Sequence, residues 1–211
     1  MSVEWVTVGP FQENSYLVTD QATRRSVLVD PGDEAARIVR MIRAADVEID
    51  AIWLTHGHLD HIGAVAAITR QWKVPVLLHR DDLVLYRRAT QQAAFYGIEF
   101  EQPADPDGEF TDGDVLSVGG SRFTVRHTPG HSPGHVAFVG ENLMLGGDLL
   151  FAGSIGRTDL PLSNPEAMEA SLALVSTFQP DIVVYPGHGP PTSIGAELAT
   201  NPFLVGVRTS L

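Results

Sequence analysis

Thr55-His56-Gly57-His58-Leu59-Asp60-His61 is the stretch whose reading decides the fold. Four metal-ligand types, His56, His58, Asp60 and His61, fall within six residues of a chain that has only 8 His. Before it, Ile49-Asp50-Ala51-Ile52-Trp53-Leu54 is a short, mostly apolar run of the kind a buried strand needs. After it, Ile62-Gly63-Ala64-Val65-Ala66-Ala67-Ile68 starts a helix expected to reach about Lys73. The cluster therefore occupies a strand-to-helix turn, and in open α/β sheets ligands gather outside the carboxyl ends of strands. Imidazole and carboxylate suit divalent metals such as zinc. Asp60 alone would read equally as a helix cap; three His beside it would not.

Composition narrows the function classes. The 211 residues suit a single domain, 1–211, able to bury about 70% of its unfolded surface without disulfides. There is no Cys, which removes thiolate ligands and Cys nucleophiles and fits a reducing compartment. The net charge of −12 argues against nucleic acid as a partner. No apolar run reaches the ~20 residues of a membrane span, and Met1-Ser2-Val3-Glu4-Trp5 does not open like a signal peptide. The expectation is a cytoplasmic protein, monomer or homodimer, acting on a small molecule with neither nucleic acid nor membrane as partner.

Working outward, residues 2–31 read as strands, with a turn at Asp20-Gln21-Ala22-Thr23-Arg24 and a stop at Pro31-Gly32-Asp33. Asp33 is a candidate cap for a helix over 34–46. Val74 to His79 is a further strand, 81–96 is helical, and 97–112 is a Pro/Asp/Gly-rich connection or a lid. Strands return at 114–118, 122–128, 135–139 and 143–146, with a tight hairpin at Gly119-Gly120. A loop covers 149–163. Asn164 and Pro165 start a helix to about Phe178. Asp181 to Tyr185 is the last strand, and a final helix covers about 195–206. Two β-rich and αβ halves predict a four-layer α/β arrangement: two mixed β-sheets face to face with helices outside, an αββα sandwich.

Polar residues recur just after the expected strands. His131 stands in Pro129-Gly130-His131-Ser132-Pro133-Gly134-His135, Asp148 follows Gly146-Gly147, and His188 stands in Pro186-Gly187-His188-Gly189. Each alone is as readily a turn residue. Together they repeat one form: apolar strand, glycine-containing turn, ligand type. Gly130-His131-Ser132-Pro133-Gly134 also matches a nucleophile elbow, but that elbow needs a following helix and an N–H that Pro133 lacks.

These motifs, in this order, resemble the metallo-β-lactamase fold superfamily. Pro-Gly-His-Ser-Pro-Gly-His, Gly-Gly-Asp-Leu-Leu-Phe and Gly156-Arg157-Thr158-Asp159 are similar to its type II glyoxalase (hydroxyacylglutathione hydrolase) branch, over about 14–202. The resemblance implies that His56, His58 and His131 hold one metal, that Asp60, His61 and His188 hold a second, and that Asp148 bridges them. It implies two divalent ions, zinc first, with iron or manganese also suited to the donors, and hydrolysis of a thioester by water activated between them, with Asp60 catalytic in orienting that water. A persulfide dioxygenase-like activity with one iron at His56, His131 and Asp148 is the alternative within the same branch; a lactonase or β-lactamase is a third. In the commonest zinc β-lactamases a Cys stands where this chain has Asp148, which disfavours a true β-lactamase. Larger type II glyoxalases add a C-terminal helical domain that binds glutathione, whereas 23 residues follow His188 here, so glutathione recognition is open.

Arg157 is the candidate to bind a substrate carboxylate, with an Arg157–Asp159 pair as the plain alternative. Phe11, Phe151 and Tyr185 line a pocket or fill the core. His79 reads as structural, His127 as core or as support for a ligand, and His135 matches a position of the branch that is not a ligand. Asp30 is a candidate to fix a ligand imidazole.

Overall fold

The computed structural model describes residues 1–205. In chain order the strands are β1 (Ser2–Val8), β2 (Glu13–Thr19), β3 (Arg25–Val29), β4 (Glu48–Trp53), β5 (Val76–His79), β6 (Gly108–Phe110), β7 (Val115–Val118), β8 (Ser121–His127), β9 (Val136–Val139), β10 (Leu143–Gly147), β11 (Leu150–Phe151), β12 (Ser154–Ile155), β13 (Val183–Pro186) and β14 (Thr192–Ser193). The helices are α1 (Ala35–Ala45), α2 (Leu59–Ile62), α3 (Val65–Gln71), α4 (Leu83–Arg87), α5 (Ala89–Tyr96), α6 (Pro165–Val175), α7 (Ile194–Thr200) and α8 (Pro202–Val205). None is long and apolar enough to cross a membrane.

β1 to β6 form one sheet in sequence order, antiparallel up to β3 and parallel from β3 to β6. The second sheet runs β14-β13-β10-β9-β8-β7 and is antiparallel except where β10 meets β13. Each parallel step requires a crossover. The helices α1, α2–α3, α4–α5 and α6 lie in these crossovers.

Side chains alternate across the first sheet as the pleat demands. Tyr16, Val18, Val27, Val29 and Trp53 join Phe123, Val125, Phe138 and Leu145 of the second sheet in an inner core. Their neighbours Leu17, Leu28 and Ile52 face the opposite way, into a core shared with Ile38, Ile42, Val65 and Ile68. The second sheet has its own outer core, where Met144 and Val184 meet Met168, Leu172 and Leu198. The expected four layers with two mixed sheets inside are what the chain builds.

Five local expectations need correction. The helix after the His cluster is not continuous to Lys73 but breaks after one turn at Gly63-Ala64. There the chain docks on the Pro31–Gly32 loop: Ala64 N–H donates to Pro31 O at 2.9 Å, and a side chain on Gly63 would strike the Gly32 carbonyl. The last helix breaks at Asn201-Pro202, where Pro cannot continue the backbone ladder; residue 206 lies outside the described residues. The 149–163 loop contains the β11–β12 hairpin, and 97–112 contains β6. Asp33 does not cap α1: Glu34 takes that position, in a left-handed conformation with φ 44° and without a side-chain cap.

Trp53 packs edge-on against Phe123 and tilted on Phe138, with ring centroids 5.6 and 5.1 Å away. It is therefore one of the aromatic links between the sheets, beside Phe110–Phe138 and Tyr16–Tyr185. Trp53→Ala is expected to lower unfolding free energy by about 3–5 kcal/mol, read from urea denaturation with an unchanged m value.

Candidate metal centre

Main-chain hydrogen bonds gather the polar loops at one end of the sheets. Val136 N–H donates to Thr55 O, Gly187 N–H to Gly147 O and Asn14 N–H to Gly187 O, each at 2.8 Å. The loops after β4, β8, β10 and β13 are thereby locked side by side. The seven residues singled out in the sequence, His56, His58, Asp60, His61, His131, Asp148 and His188, meet around one centre.

They divide by distance. His56, His58 and His131 place donor atoms within 4.8 Å of one another, and so do Asp60, His61 and His188. Asp148 stands between these groups. Its Oδ1 is 3.4 Å from His61 Nε2, and its Oδ2 is 3.5 Å from both His131 Nε2 and His188 Nε2.

Hydrogen bonds on the far side of the rings decide which nitrogen faces inward. His131 Nδ1–H donates to Arg157 O at 2.9 Å, and His188 Nδ1–H donates to Phe11 O at 3.0 Å. A carbonyl only accepts, so each ring keeps a proton on Nδ1 and turns Nε2 toward the centre. His61 Nδ1–H donates to Asp30 Oδ2 at 2.9 Å. The Thr55 hydroxyl donates to the same Asp30 oxygen at 2.6 Å, which leaves Thr55 Oγ1 to accept from His56 Nδ1–H at 3.0 Å. His58 is the exception: its Nδ1 faces inward, 2.9 Å from His131 Nε2. Asp30 also accepts Thr55 N–H at 2.7 Å. It lies within 4.8 Å of the donors of His56 and His61, but its oxygens are already committed to holding the site.

The residues present fit a metal. His56 Nε2, His61 Nε2 and Asp148 Oδ1 are buried without any hydrogen-bond partner. Leaving such groups unpaired costs about 1–3 kcal/mol each, and these point toward the common centre where a cation would satisfy them. Imidazole and carboxylate donors without thiolate accept zinc, iron or manganese.

Electrostatics agree. Burial and, next, the neighbouring His131 push His58 down to about 3, so that ring is neutral. Burial alone would raise Asp60 and Asp148, but the surrounding imidazoles hold both below the usual carboxylate range. Burial opposes charge on His188 too, yet Asp148 and Asp60 raise it to about 10.

The remaining residues sort themselves. His135 is fully buried; it accepts Asp148 N–H at Nε2, 3.0 Å away, and so fixes that loop. His79 and His127 stack in parallel, 4.3 Å apart and tilted by 10°. An ion cannot lie in the plane of both rings, so this pair is structural despite Asp81 nearby. Ser132 is fully buried and donates its hydroxyl to Asp82, which removes it as a nucleophile.

A cleft of about 760 Å³ opens above Asp60, His131, Asp148 and His188. Phe11, Phe95, Tyr96, Phe151, Leu160 and Leu162 supply apolar wall, and Arg88 and Arg157 are its basic residues. Tyr185 instead packs on Tyr16 and Trp5. No residue of 97–112 lines this cleft, but Ile98, Glu99 and Phe100 border a smaller adjoining pocket with Phe11, Leu59 and Asp60. The Arg157 guanidinium is bonded to Asp159 at 2.8 and 2.9 Å. Sequence reasoning missed the part played by the carbonyls of Phe11 and Arg157, which carry no side-chain signature. It also missed Asp82, whose one available signal was its place just after β5, at the same kind of strand end as the other polar residues.

Two mixed sheets between helices, with clustered His and Asp at the strand ends, define a metal-dependent enzyme of the αββα class. The chain belongs to the metallo-beta-lactamase superfamily, whose sequence profile matches residues 8–188. It is 35% identical over 209 residues to the hydroxyacylglutathione hydrolase GloC of Haemophilus influenzae, covering 97% of this chain and 98% of that one. Among solved structures, TTHA1623 in a di-iron-bound form is 44% identical, with a TM-score of 0.89 over 95% of this chain and all 100% of that one. The B3 metallo-beta-lactamase BLEG-1 is 34% identical, with a TM-score of 0.90 over 97% of this chain and 100% of that one.

Asp30 holds Thr55 and His61 at once. Asp30→Ala is expected to leave the buried Thr55 N–H unpaired, lowering stability by about 1–3 kcal/mol, and to weaken metal binding about 10–100-fold. Denaturant melts and metal content at buffered free-metal concentrations measure the two effects.

Proposed function

We propose that this protein is a dinuclear metallo-hydrolase of thioesters. The observation that carries the reading is Asp148, set 3.4–3.5 Å from imidazoles of both donor groups at the floor of one cleft. In this reading His56, His58 and His131 hold one ion, Asp60, His61 and His188 hold the other, and Asp148 faces both. A bound pair of divalent ions supplies a water of lowered pKa and polarises the scissile carbonyl. Zinc, iron and manganese all suit the donors, and the di-iron form of TTHA1623 keeps iron among them.

The chain's own residues then set the geometry. Asp60 borders the cleft with its Oδ2 3.4 Å from His188 Nε2, placed to accept a hydrogen bond from the attacking water and so orient it. The apolar walls exclude bulk water and strengthen the charges at the floor. A departing thiolate needs no strong acid, and none of the cleft carboxylates is raised to act as one. Arg88 and Arg157 suit a substrate with an anionic end. Arg157 is already paired with Asp159, while the Arg88 side chain makes no ion pair or hydrogen bond among the described residues. The likeness to GloC supports a thioester substrate. The likeness to BLEG-1 supports a second reading, β-lactam hydrolysis, and weakens the argument from Asp148 against it.

Metal analysis followed by thioester hydrolysis, cephalosporin hydrolysis and oxygen uptake on the same sample separates the readings. Two ions per chain with thioester turnover is the expected result. One iron with oxygen consumption by glutathione persulfide, or turnover confined to the β-lactam, would sink it. Asp60→Asn is expected to lower kcat about 10–100-fold; unchanged turnover would remove Asp60 from its role.

Metal binding is also expected to tighten as pH rises. His188, at about 10 without an ion, is protonated through neutral pH, and that proton must leave before Nε2 can bind a cation. Calorimetry in buffers of different ionisation enthalpy should show proton release, with affinity increasing from about pH 6 to about pH 8.

A further inference from the structure

Asp82 belongs to none of the ligand loops, yet two of them close on it. It is fully buried just before α4. Its Oδ2 accepts Gly57 N–H at 2.8 Å and the Ser132 hydroxyl at 2.7 Å, and its Oδ1 accepts Gly134 N–H at 2.5 Å. Gly57 lies between His56 and His58. Ser132 follows His131.

The main chain makes the same connection. A side chain on Gly57 would come within 2.8 Å of the Asp82 carbonyl oxygen, and one on Gly134 within 2.6 Å of the Asp82 nitrogen. Both loops use glycine to seat against Asp82, one on each side. No hydrogen bond joins Asp82 to Asp60, His61, Asp148 or His188, and no Lys or Arg among the described residues pairs with its charge.

We propose that Asp82 is the positioning residue for one metal and not the other. It clamps the Gly57 loop to the Ser132–Gly134 loop, so that His56, His58 and His131 converge on a single ion. This rests on the ligand assignment proposed above. The clamp requires an ionised carboxylate, because all three contacts are donors and only a carboxylate accepts on both arms. An amide in its place would turn N–H groups toward Gly134 or toward Gly57 and Ser132. Burial raises this carboxyl above its ordinary range, and the three donors counter that only in part.

The test resolves the two affinities. Metal-stripped protein is titrated with Co(II), followed by its d–d absorption and by competition with a chromogenic chelator. His131→Ala and His188→Ala identify which affinity belongs to which donor group. Asp82→Asn is expected to weaken the affinity lost in His131→Ala about 10–100-fold and to alter its Co(II) spectrum. The affinity lost in His188→Ala should shift far less. Ser132→Ala, which removes one of three bonds and spares the buried carboxylate, should weaken the same affinity by a smaller factor. It decides the matter if Asp82→Asn does not fold.

Equal loss at both ions in the two variants would reduce Asp82 to a general stabilising residue and overturn the proposal. So would Ser132→Ala with both affinities unchanged. Wild-type protein that binds one Co(II), lost in His131→Ala, would instead count against the dinuclear reading, and the clamp would stand or fall on that ion alone.

Discussion

The ligand imidazoles are held by the nitrogen that faces away from the cluster. His131 and His188 donate to main-chain carbonyls, His61 to Asp30, and His56 to a Thr55 hydroxyl that itself leans on Asp30. Every one of these bonds fixes a ring plane and a tautomer, and so aims a lone pair. The rest of the architecture serves that constraint. Two sheets packed through Trp53, Phe123 and Phe138 keep the strand ends in register, and short glycine turns bring their carbonyls and side chains within bonding reach.

A cluster built this way is unfavourable on its own account. Buried ring nitrogens face one another or a carboxylate without hydrogen bonds, and one imidazole is driven neutral while another is driven to hold a proton. The inner core and two outer cores supply the rigidity that keeps it from relaxing. The same tension is what gives a cation its affinity: the ion satisfies lone pairs that the protein leaves unpaired, in place of protons that would otherwise occupy them.

The division of labour between the loops follows from their supports. His61 and its neighbours lean on Asp30 from the first sheet, and His188 leans on Phe11, also on that side. The His56, His58 and His131 group joins the first sheet to the second, through Thr55 on one hand and the Asp82 contacts on the other. On the proposed assignment, two ions held by differently anchored donors would differ in affinity while sharing Asp148. The cleft above takes apolar wall from α5 and the 160–162 segment and basic residues from Arg88 and Arg157.

Much of this was legible in residue order. The strand, turn and helix around residues 49–68 follow from a local apolar run and a local change of period, and local signals need no partner to be read. The four layers followed from the alternation of β-rich and αβ segments. The candidate ligands were legible because His and Asp just beyond apolar strands are few and chemically distinctive. Where neighbours in space intervene, the local reading fails: the helix at 62–73 is cut at Gly63 by the Gly32 carbonyl, and nothing in local residue order pairs Asp82 with Gly134. The amino-acid sequence by itself determined the strand order's raw material, the donor set and the absence of thiolate. Only the tertiary structure decided which nitrogen of each ring faces inward, that Asp148 sits between the donor groups, and that Asp82 ties two loops together. Apart from the Thr55–His56 contact, those depend on hydrogen bonds between residues 25 to 177 positions apart, and such bonds leave no trace in local residue order.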